Sequence, residues 1–202
     1  MVEWMTIEAI LDFWFGSSPD DSVVAKEKSA LWWSKSPAID GAVRQRFESS
    51  ARRAAAGELS DWLSTPRGRL ALILLTDQFP RNIYRDSPRA FAQDLKALAW
   101  TRDGIEQGLD LKLRRIERVF FYLPLEHSES LQHQEQSVKY FGELGSLASP
   151  EHKPIFEEYL NFAVRHRDII ARFGRFPHRN KILGRESTAD ELAFLAEPGS
   201  SF

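Results

Sequence analysis

Apolar side chains recur every three or four positions along most of the chain, the spacing that gathers them on one face of an α-helix. Helix start signals accompany this pattern, because a serine or threonine able to cap a helix precedes a proline at Ser36-Pro37, Thr65-Pro66, Ser87-Pro88 and Ser149-Pro150. Glycines typical of helix ends stand at Gly16, Gly57, Gly145 and Gly174. The pattern predicts an all-α protein whose helices pack on their sequence neighbours in an α-α array.

Prolines inside apolar stretches set two of the predicted boundaries. Proline lacks a backbone N–H and clashes with the preceding helical turn, so helices are predicted to end near Phe79 and at Leu123. The other predicted helices begin at Thr6, Pro37, Pro66, Pro88, Leu113, Ser128, Pro150 and Thr188, with Phe91, Leu95, Leu98 and Leu131 facing inward and Leu31-Trp32-Trp33 as a short aromatic anchor. No linker divides the chain, so a single domain over residues 1–202 is expected.

The stretch Phe120–Glu129 turns abruptly from apolar to titratable residues. If one helix stops at Pro124 and Ser128 caps the next, Glu126 and His127 are held in a break between two helices. Titratable groups in such a break either belong to a functional site or hold the two helices together. The sequence leaves both interpretations open.

Two segments nearly repeat each other, since Phe-Pro precedes Arg-Asn both in Gln78–Asn82 and in Phe176–Asn180. One interpretation is a pair of structural clamps, because buried charges normally occur in pairs. The other is an anion pocket made by Arg81, Asn82, Arg179 and Asn180, with His127 beside them. Guanidiniums bind carboxylates and phosphates through paired, charge-assisted hydrogen bonds.

His166 falls at the centre of an apolar helical stripe, so its side chain is predicted to face the core or a pocket within it. Burial disfavours the charged imidazolium unless a carboxylate is close. Glu126 is the first candidate for that carboxylate and Asp77 the second. A Glu126–His166 pair is therefore the candidate for general acid-base catalysis. A histidine satisfied within the core is the alternative.

Composition narrows the classes of function. The formal net charge of −2 gives no electrostatic reason to expect binding to nucleic acid or to an anionic membrane. The chain contains no cysteine and no His-Glu-x-x-His motif, so neither a metal site nor a cofactor is predicted. The segment Met1–Thr6 carries neither the basic nor the apolar part of a signal peptide, and a cytoplasmic location is expected.

The chain resembles DUF924, a family of uncharacterised bacterial proteins, in its segments Gln78–Asn82, Leu123–Glu129 and Phe176–Asn180. The resemblance runs from Ile10 to the end of the chain. It implies a tetratricopeptide-like α-α superhelix, here without a regular sequence repeat. It implies no activity.

Three hypotheses for function remain. The first is binding of a small anionic ligand or an acidic peptide terminus in a pocket lined by Arg, Asn, Glu and His. The second is an enzyme that uses Glu126 and His166 beside the arginines. The third is a scaffold without a ligand, in which Glu126 neutralises buried arginines. The sequence does not decide the oligomeric state.

Overall fold

The computed structural model describes residues 5–200. Residues 1–4, which include most of the segment considered for a signal peptide, and residues 201–202 lie outside the described part. The helices are α1 (Ile7–Phe15), α2 (Asp21–Trp33), α3 (Pro37–Ala56), α4 (Pro66–Ile73), α5 (Phe79–Ile83), α6 (Asp94–Glu106), α7 (Arg115–Glu126), α8 (Leu131–Ser146), α9 (Lys153–Phe173) and α10 (Ala189–Leu195). Short 3-10 turns occur at Ser60–Ser64, Pro88–Ala90, Asp110–Lys112 and Pro177–Arg179.

The prediction of an all-α protein is confirmed, since residues 5–200 contain no β-strand. The tetratricopeptide-like arrangement stays a prediction. Several elements pack on sequence neighbours, α8 along α9 and α7 along α8. Others meet across the chain, α1 with α4 and α2 with α7. No helix within this part of the chain is both long and apolar enough to cross a membrane.

The capping signals place several boundaries correctly. Thr6 accepts a hydrogen bond from the backbone N–H of Ala9 at 3.1 Å, and α1 ends at Gly16 as predicted. Ser36 precedes α3, and Gly57 ends it with a φ of 80°, a left-handed conformation that glycine adopts without strain. Side-chain caps therefore determine these helix ends locally.

The predicted stop before Pro80 is wrong. The chain continues from α4 through a π-helical turn, Leu74–Gln78, directly into α5. In this turn the N–H of Phe79 donates to the carbonyl of Leu74, five residues back. The wider turn makes room for the proline ring, which in a regular α-helix would clash with the preceding carbonyl. The inserted turn also places Asp77 inside the protein, where none of its surface is exposed.

The predicted break at Pro124 is also wrong, because α7 continues through this residue to Glu126. Pro124 lies in the last turn, so its missing N–H costs one hydrogen bond near the helix end. The apolar residues just before it are buried in the core and hold the helical path. Glu126 therefore ends a helix, and His127 is its C-cap. Ser128 is not the next cap, since α8 begins at Leu131 after Ser130.

Four further expectations are corrected. Leu31-Trp32-Trp33 is the end of the full helix α2, not an isolated anchor. Pro88 begins a 3-10 turn, which shifts the start of α6 to Asp94 and turns Leu95 to solvent, 82% exposed. Leu131 is also exposed, at the start of α8. The longest helix begins at Lys153, three residues after Pro150.

The main hydrophobic core runs through α1 to α9 and is rich in aromatic rings. Trp14 packs against Phe79 at 5.1 Å and against Phe120 at 5.5 Å between ring centroids. A smaller apolar cluster joins the end of α9 to Phe176. The polar residues described next lie where the π-helical turn, the end of α7 and this smaller cluster meet.

Candidate functional site

The three motifs singled out in the sequence converge in space. Nδ1 of His127, in the second motif, lies 2.8 Å from Oδ1 of Asp77, which directly precedes the first motif. Glu129, also in the second motif, accepts the backbone N–H of Phe176, in the third motif, at 2.8 Å. The segment between α7 and α8 therefore ties the other two motifs together.

Both arginines of the repeated segments converge on Asp94, the first residue of α6. Arg81 donates to the two oxygens of Asp94 at 3.1 Å each, in a bidentate ion pair. Arg179 donates to one of the same oxygens at 3.4 Å. The Arg179 guanidinium also lies over the rings of Phe91 and Phe176, with centroid distances of 4.8 and 4.5 Å. The structure thus brings Arg81 and Arg179 together around a single carboxylate.

The buried guanidinium of Arg179 has few hydrogen-bond partners for a charged group. Only 6% of the residue is exposed, and its Nε is buried without a hydrogen-bond partner. The long bond to Asp94 is the only hydrogen bond of its guanidinium to residues 5–200. Burial, followed by the charge of Arg81, lowers the pKa of Arg179 to about 10. The side chain is therefore still a cation at neutral pH, with donors that have no acceptor.

Asp77 and His127 form a hydrogen-bonded ion-pair network with Arg81. Oδ1 of Asp77 lies 3.3 Å from Nη1 of Arg81 and 2.8 Å from Nδ1 of His127, and Oδ2 accepts from Gln78 at 2.6 Å. Burial alone would raise the pKa of Asp77, but these partners hold it well below its usual value. Burial and then the charge of Arg81 lower the pKa of His127. At neutral pH the pair is a carboxylate and a neutral imidazole.

Glu126 and His166 form a second pair, as the sequence predicted. Nδ1 of His166 lies 3.1 Å from Oε1 of Glu126 and 2.9 Å from the carbonyl oxygen of Phe162. A carbonyl can only accept, so Nδ1 carries the proton. Burial, then the charge of Asp77, raises the pKa of Glu126 to about 8, and burial lowers the pKa of His166 well below its ordinary value. Both members are therefore largely uncharged at pH 7.

The two asparagines lie away from this cluster. Asn82 donates to Asp40 at 2.9 Å, and Asp40 also binds Arg85. Asn180 donates to Ser187 at 3.0 Å and accepts from Arg185 at 2.9 Å. Asn82 therefore ties α5 to α3, and Asn180 stabilises the turn that follows it. Of the predicted binding residues, the structure brings together Arg81, His127 and Arg179, next to Glu126 and His166.

The expected ion pair between Glu126 and the arginines is absent from the described contacts, because Asp77 and Asp94 occupy that role. Sequence reasoning had considered Asp77 only as a partner of His166 and had missed Asp94 altogether. Asp94 gave no distinguishing signal, since an acidic residue in the first turn of a helix is ordinary. Within residues 5–200 no three His, Asp or Glu side chains are grouped to hold a metal ion.

Access to the cluster is limited to one edge. The side chains of Arg81, Asp94 and His127 are 20, 18 and 13% exposed. Two surface cavities, of about 300 and 120 Å³, are lined by other residues, although Pro80 and Gln93 in the smaller one adjoin Arg81 and Asp94 in sequence. A ligand would meet the cluster at the exposed edge shared by Arg81, Asp94 and His127.

The fold and the cluster define an all-helical protein in which two arginines, one buried and one partly exposed, are held around one aspartate. The sequence profile of a bacterial protein family of unknown function, DUF924, matches residues 10–199. The chain belongs to this family, which confirms the resemblance seen in its motifs. Among curated proteins, none matches this chain.

A solved structure is similar to this chain in both sequence and fold. A protein of unknown function from Agrobacterium tumefaciens is 36% identical in sequence and superposes with a TM-score of 0.72. The match covers 88% of this chain and 99% of that protein. The similarity extends over nearly the whole fold.

Proposed function

We propose that this protein binds a small anion, a carboxylate or a phosphate, at the guanidiniums of Arg81 and Arg179. The observation that supports the proposal most directly is the state of Arg179. Its charge is buried and its Nε has no partner, whereas a guanidinium offers five donors. A buried donor left unpaired costs about 1–3 kcal/mol, so an incoming anion has unmet hydrogen bonds to satisfy.

The sharing of one carboxylate by two arginines also supports the proposal. Arg81 lies close enough to Arg179 to lower its pKa, and of the two carboxylate partners of Arg81, Asp77 and Asp94, only Asp94 also bonds Arg179. A single carboxylate, that of Asp94, lies between them. A ligand oxygen beside Asp94 would reduce the repulsion between the two guanidiniums and would accept from both.

Asp94 is then a competitor for the ligand. Its carboxylate occupies the place of an anion between the arginines and is 18% exposed, so it lies at the edge that a ligand reaches first. Binding would displace or share this carboxylate. Replacing Asp94 by asparagine should therefore strengthen anion binding, because it removes the competing charge and keeps the side-chain shape.

The test is thermal unfolding in sodium phosphate or acetate against sodium chloride of equal ionic strength. For a ligand at ten times its dissociation constant, the expected stabilisation is about 1.4 kcal/mol, which raises the melting temperature by roughly 3–6 °C. Arg179→Gln should abolish the rise and Asp94→Asn should increase it. Arg85→Gln is the matched control, because Arg85 pairs with Asp40 and makes no contact with Asp94. An equal rise in Arg179→Gln and wild type would contradict the proposal.

The scaffold hypothesis is favoured by a different observation, the bidentate bond that already joins Arg81 to Asp94. In a pure clamp, Asp94→Asn lowers stability and no anion restores it. In an anion site, the same variant regains stability when phosphate is added. The response of Asp94→Asn to phosphate therefore separates the two functions.

A further inference from the structure

His127 has the arrangement of a general base. The buried carboxylate of Asp77 can only accept, so the Nδ1 atom that lies 2.8 Å from it must carry the hydrogen. In the neutral ring this leaves a lone pair on Nε2. No residue within 5–200 forms a hydrogen bond with Nε2, and the side chain is 13% exposed. The carboxylate thus fixes the tautomer and leaves the basic nitrogen available.

The base lies beside the proposed anion site. His127 and Arg81 contact the same atom, Oδ1 of Asp77, at 2.8 and 3.3 Å. Only one carboxylate oxygen therefore separates the imidazole from a guanidinium of the site. Asp77 itself lies in the π-helical turn, a feature that recurs at functional sites, and is enclosed on all sides.

The groups around His127 favour its neutral form at physiological pH. Burial and the charge of Arg81 lower its pKa, while the charges of Asp77 and Asp94 oppose the shift. Behind it lies the ring of His166, with a centroid distance of 6.4 Å. A base must be unprotonated to accept a proton, and this environment meets that condition.

We propose that Asp77 and His127 form a general-base dyad for a substrate bound by Arg81 and Arg179. The substrate class is a small carboxylic or phosphate acid with a C–H group next to a carbonyl. Nε2 of His127 takes the proton: the C–H bond breaks, its electron pair stays on the substrate as an enolate, and an N–H bond forms. The nearby guanidiniums stabilise the developing negative charge. The inference rests on the proposed anion site.

His127 suits this role better than His166. Nδ1 of His166 donates to the carbonyl of Phe162 within the same helix, and only 6% of the residue is exposed. Its carboxyl partner, Glu126, is protonated at neutral pH because burial raises its pKa to about 8. A neutral carboxyl gives little stabilisation to an imidazolium, whereas the ionised Asp77 does so directly.

The first part of the test uses the wild-type protein and diethyl pyrocarbonate, which modifies neutral, accessible imidazoles. Peptide mass spectrometry measures the rate at each of the five histidines. Phosphate at ten times its dissociation constant should slow modification of His127 about tenfold. His152 is the matched control, because it also contacts an aspartate, Asp20, at 3.3 Å, away from the site. Its rate should not change.

The second part follows exchange of carbon-bound hydrogen for deuterium in pyruvate and dihydroxyacetone phosphate, by proton NMR in D₂O. The wild type should accelerate exchange above buffer, and His127→Gln should lower the rate by about 10²–10⁴-fold. Asp77 acts as a positioning residue, so Asp77→Asn should shift the pH profile of exchange as well as its rate. His152→Gln should match the wild type.

The outcomes separate the two proposals. If neither phosphate nor acetate binds, the anion site is wrong and the dyad falls with it. If phosphate binds but does not protect His127, the anion site stands and the dyad is wrong. If His127 is protected but neither probe exchanges faster than in buffer, the carbon-acid reaction is wrong. Protection together with exchange that depends on His127 supports the full proposal.

Discussion

Two carboxyl–histidine pairs lie side by side in this protein. The carboxyl group is ionised in one pair and protonated in the other. The rings of His127 and His166 are 6.4 Å apart, and each has its Nδ1 within 3.1 Å of a buried carboxyl oxygen. Yet Asp77 is ionised, while burial raises the pKa of Glu126 to about 8. The same pair of functional groups thus gives a charged and a neutral unit.

The difference comes from the other neighbours of each carboxyl group. Asp77 has a guanidinium, an imidazole N–H and an amide around it, which together outweigh the cost of burying its charge. Glu126 meets the same cost, and the nearest charge that affects it is the negative Asp77. Burial therefore does not set the protonation state by itself. The number of hydrogen-bond donors and countercharges around each carboxyl group decides whether it is ionised.

The largest expected effect is on stability and distinguishes the pairs directly. Asp77→Asn takes from Arg81 its fully buried countercharge and from His127 the carboxylate that accepts its N–H, and should cost about 3–5 kcal/mol of unfolding free energy. Glu126→Gln replaces a largely neutral carboxyl by a neutral amide. At pH 7 the folded wild type holds a proton that its unfolded chain releases, which lowers its stability, so the variant should be as stable as the wild type or more stable. Urea unfolding of both variants measures the difference.

Asp168→Asn is the matched control for the charge change, since Asp168 also pairs with an arginine, Arg167, and the two side chains are 61 and 35% exposed. Its cost should be about 0–1 kcal/mol. In the scaffold hypothesis drawn from the sequence, Glu126 is the countercharge of the buried arginines. A large loss in Glu126→Gln together with a small one in Asp77→Asn would restore that assignment and contradict the contacts described above.

The next effect is the pH dependence of stability. The pKa of Glu126 is near 4.5 in an unfolded chain and about 8 in the folded protein, so between these values the native state holds the extra proton. Its contribution to stability is complete below pH 4.5 and is lost as the pH rises through 8. Relative to Glu126→Gln, the wild type should lose up to about 1.4 kcal/mol per pH unit across that window.

The contribution of Asp77 to stability depends on pH in the opposite direction. Its folded pKa is depressed, so its contribution is present above the ordinary pKa of 3.8 and is lost in acid. Titratable groups that do not contact Glu126 contribute equally to the wild type and to Glu126→Gln, so they cancel in the difference between the two curves. Parallel curves for wild type and Glu126→Gln from about pH 5 to 8 would show that Glu126 is ionised throughout.

Much of the fold was predictable because caps act locally. The Thr6 cap and the Gly57 terminus depend on neighbouring residues that the sequence displays. Errors arose at Pro80 and Pro124, where tertiary packing outweighed the local tendency of proline to end a helix. The π-helical turn leaves no periodic signal, because it shifts the register by only one residue.

The site was predictable only in part, because several of its contacts depend on tertiary packing. His166 was placed inside by its helical stripe, and Glu126 was correctly chosen as its partner. The convergence of Arg81 and Arg179 on Asp94 depends on three segments far apart in sequence, and no local pattern encodes it. The role of Asp77 follows from the unpredicted π-helical turn.

The smallest expected effect is a difference in protonation between His127 and His166. The charge of Asp77 supports protonation of His127, whereas burial together with the neighbouring charges of His127 and Arg179 lowers the pKa of His166 further. In ¹⁵N NMR spectra recorded as the pH is lowered from neutrality, Nε2 of His127 should shift first, and His166 should stay neutral until the protein unfolds. In Asp77→Asn the transition of His127 should move to lower pH, because the carboxylate no longer stabilises the imidazolium. If the two buried histidines took up protons together, their carboxyl partners would carry the same charge, and the contrast between the pairs would be lost.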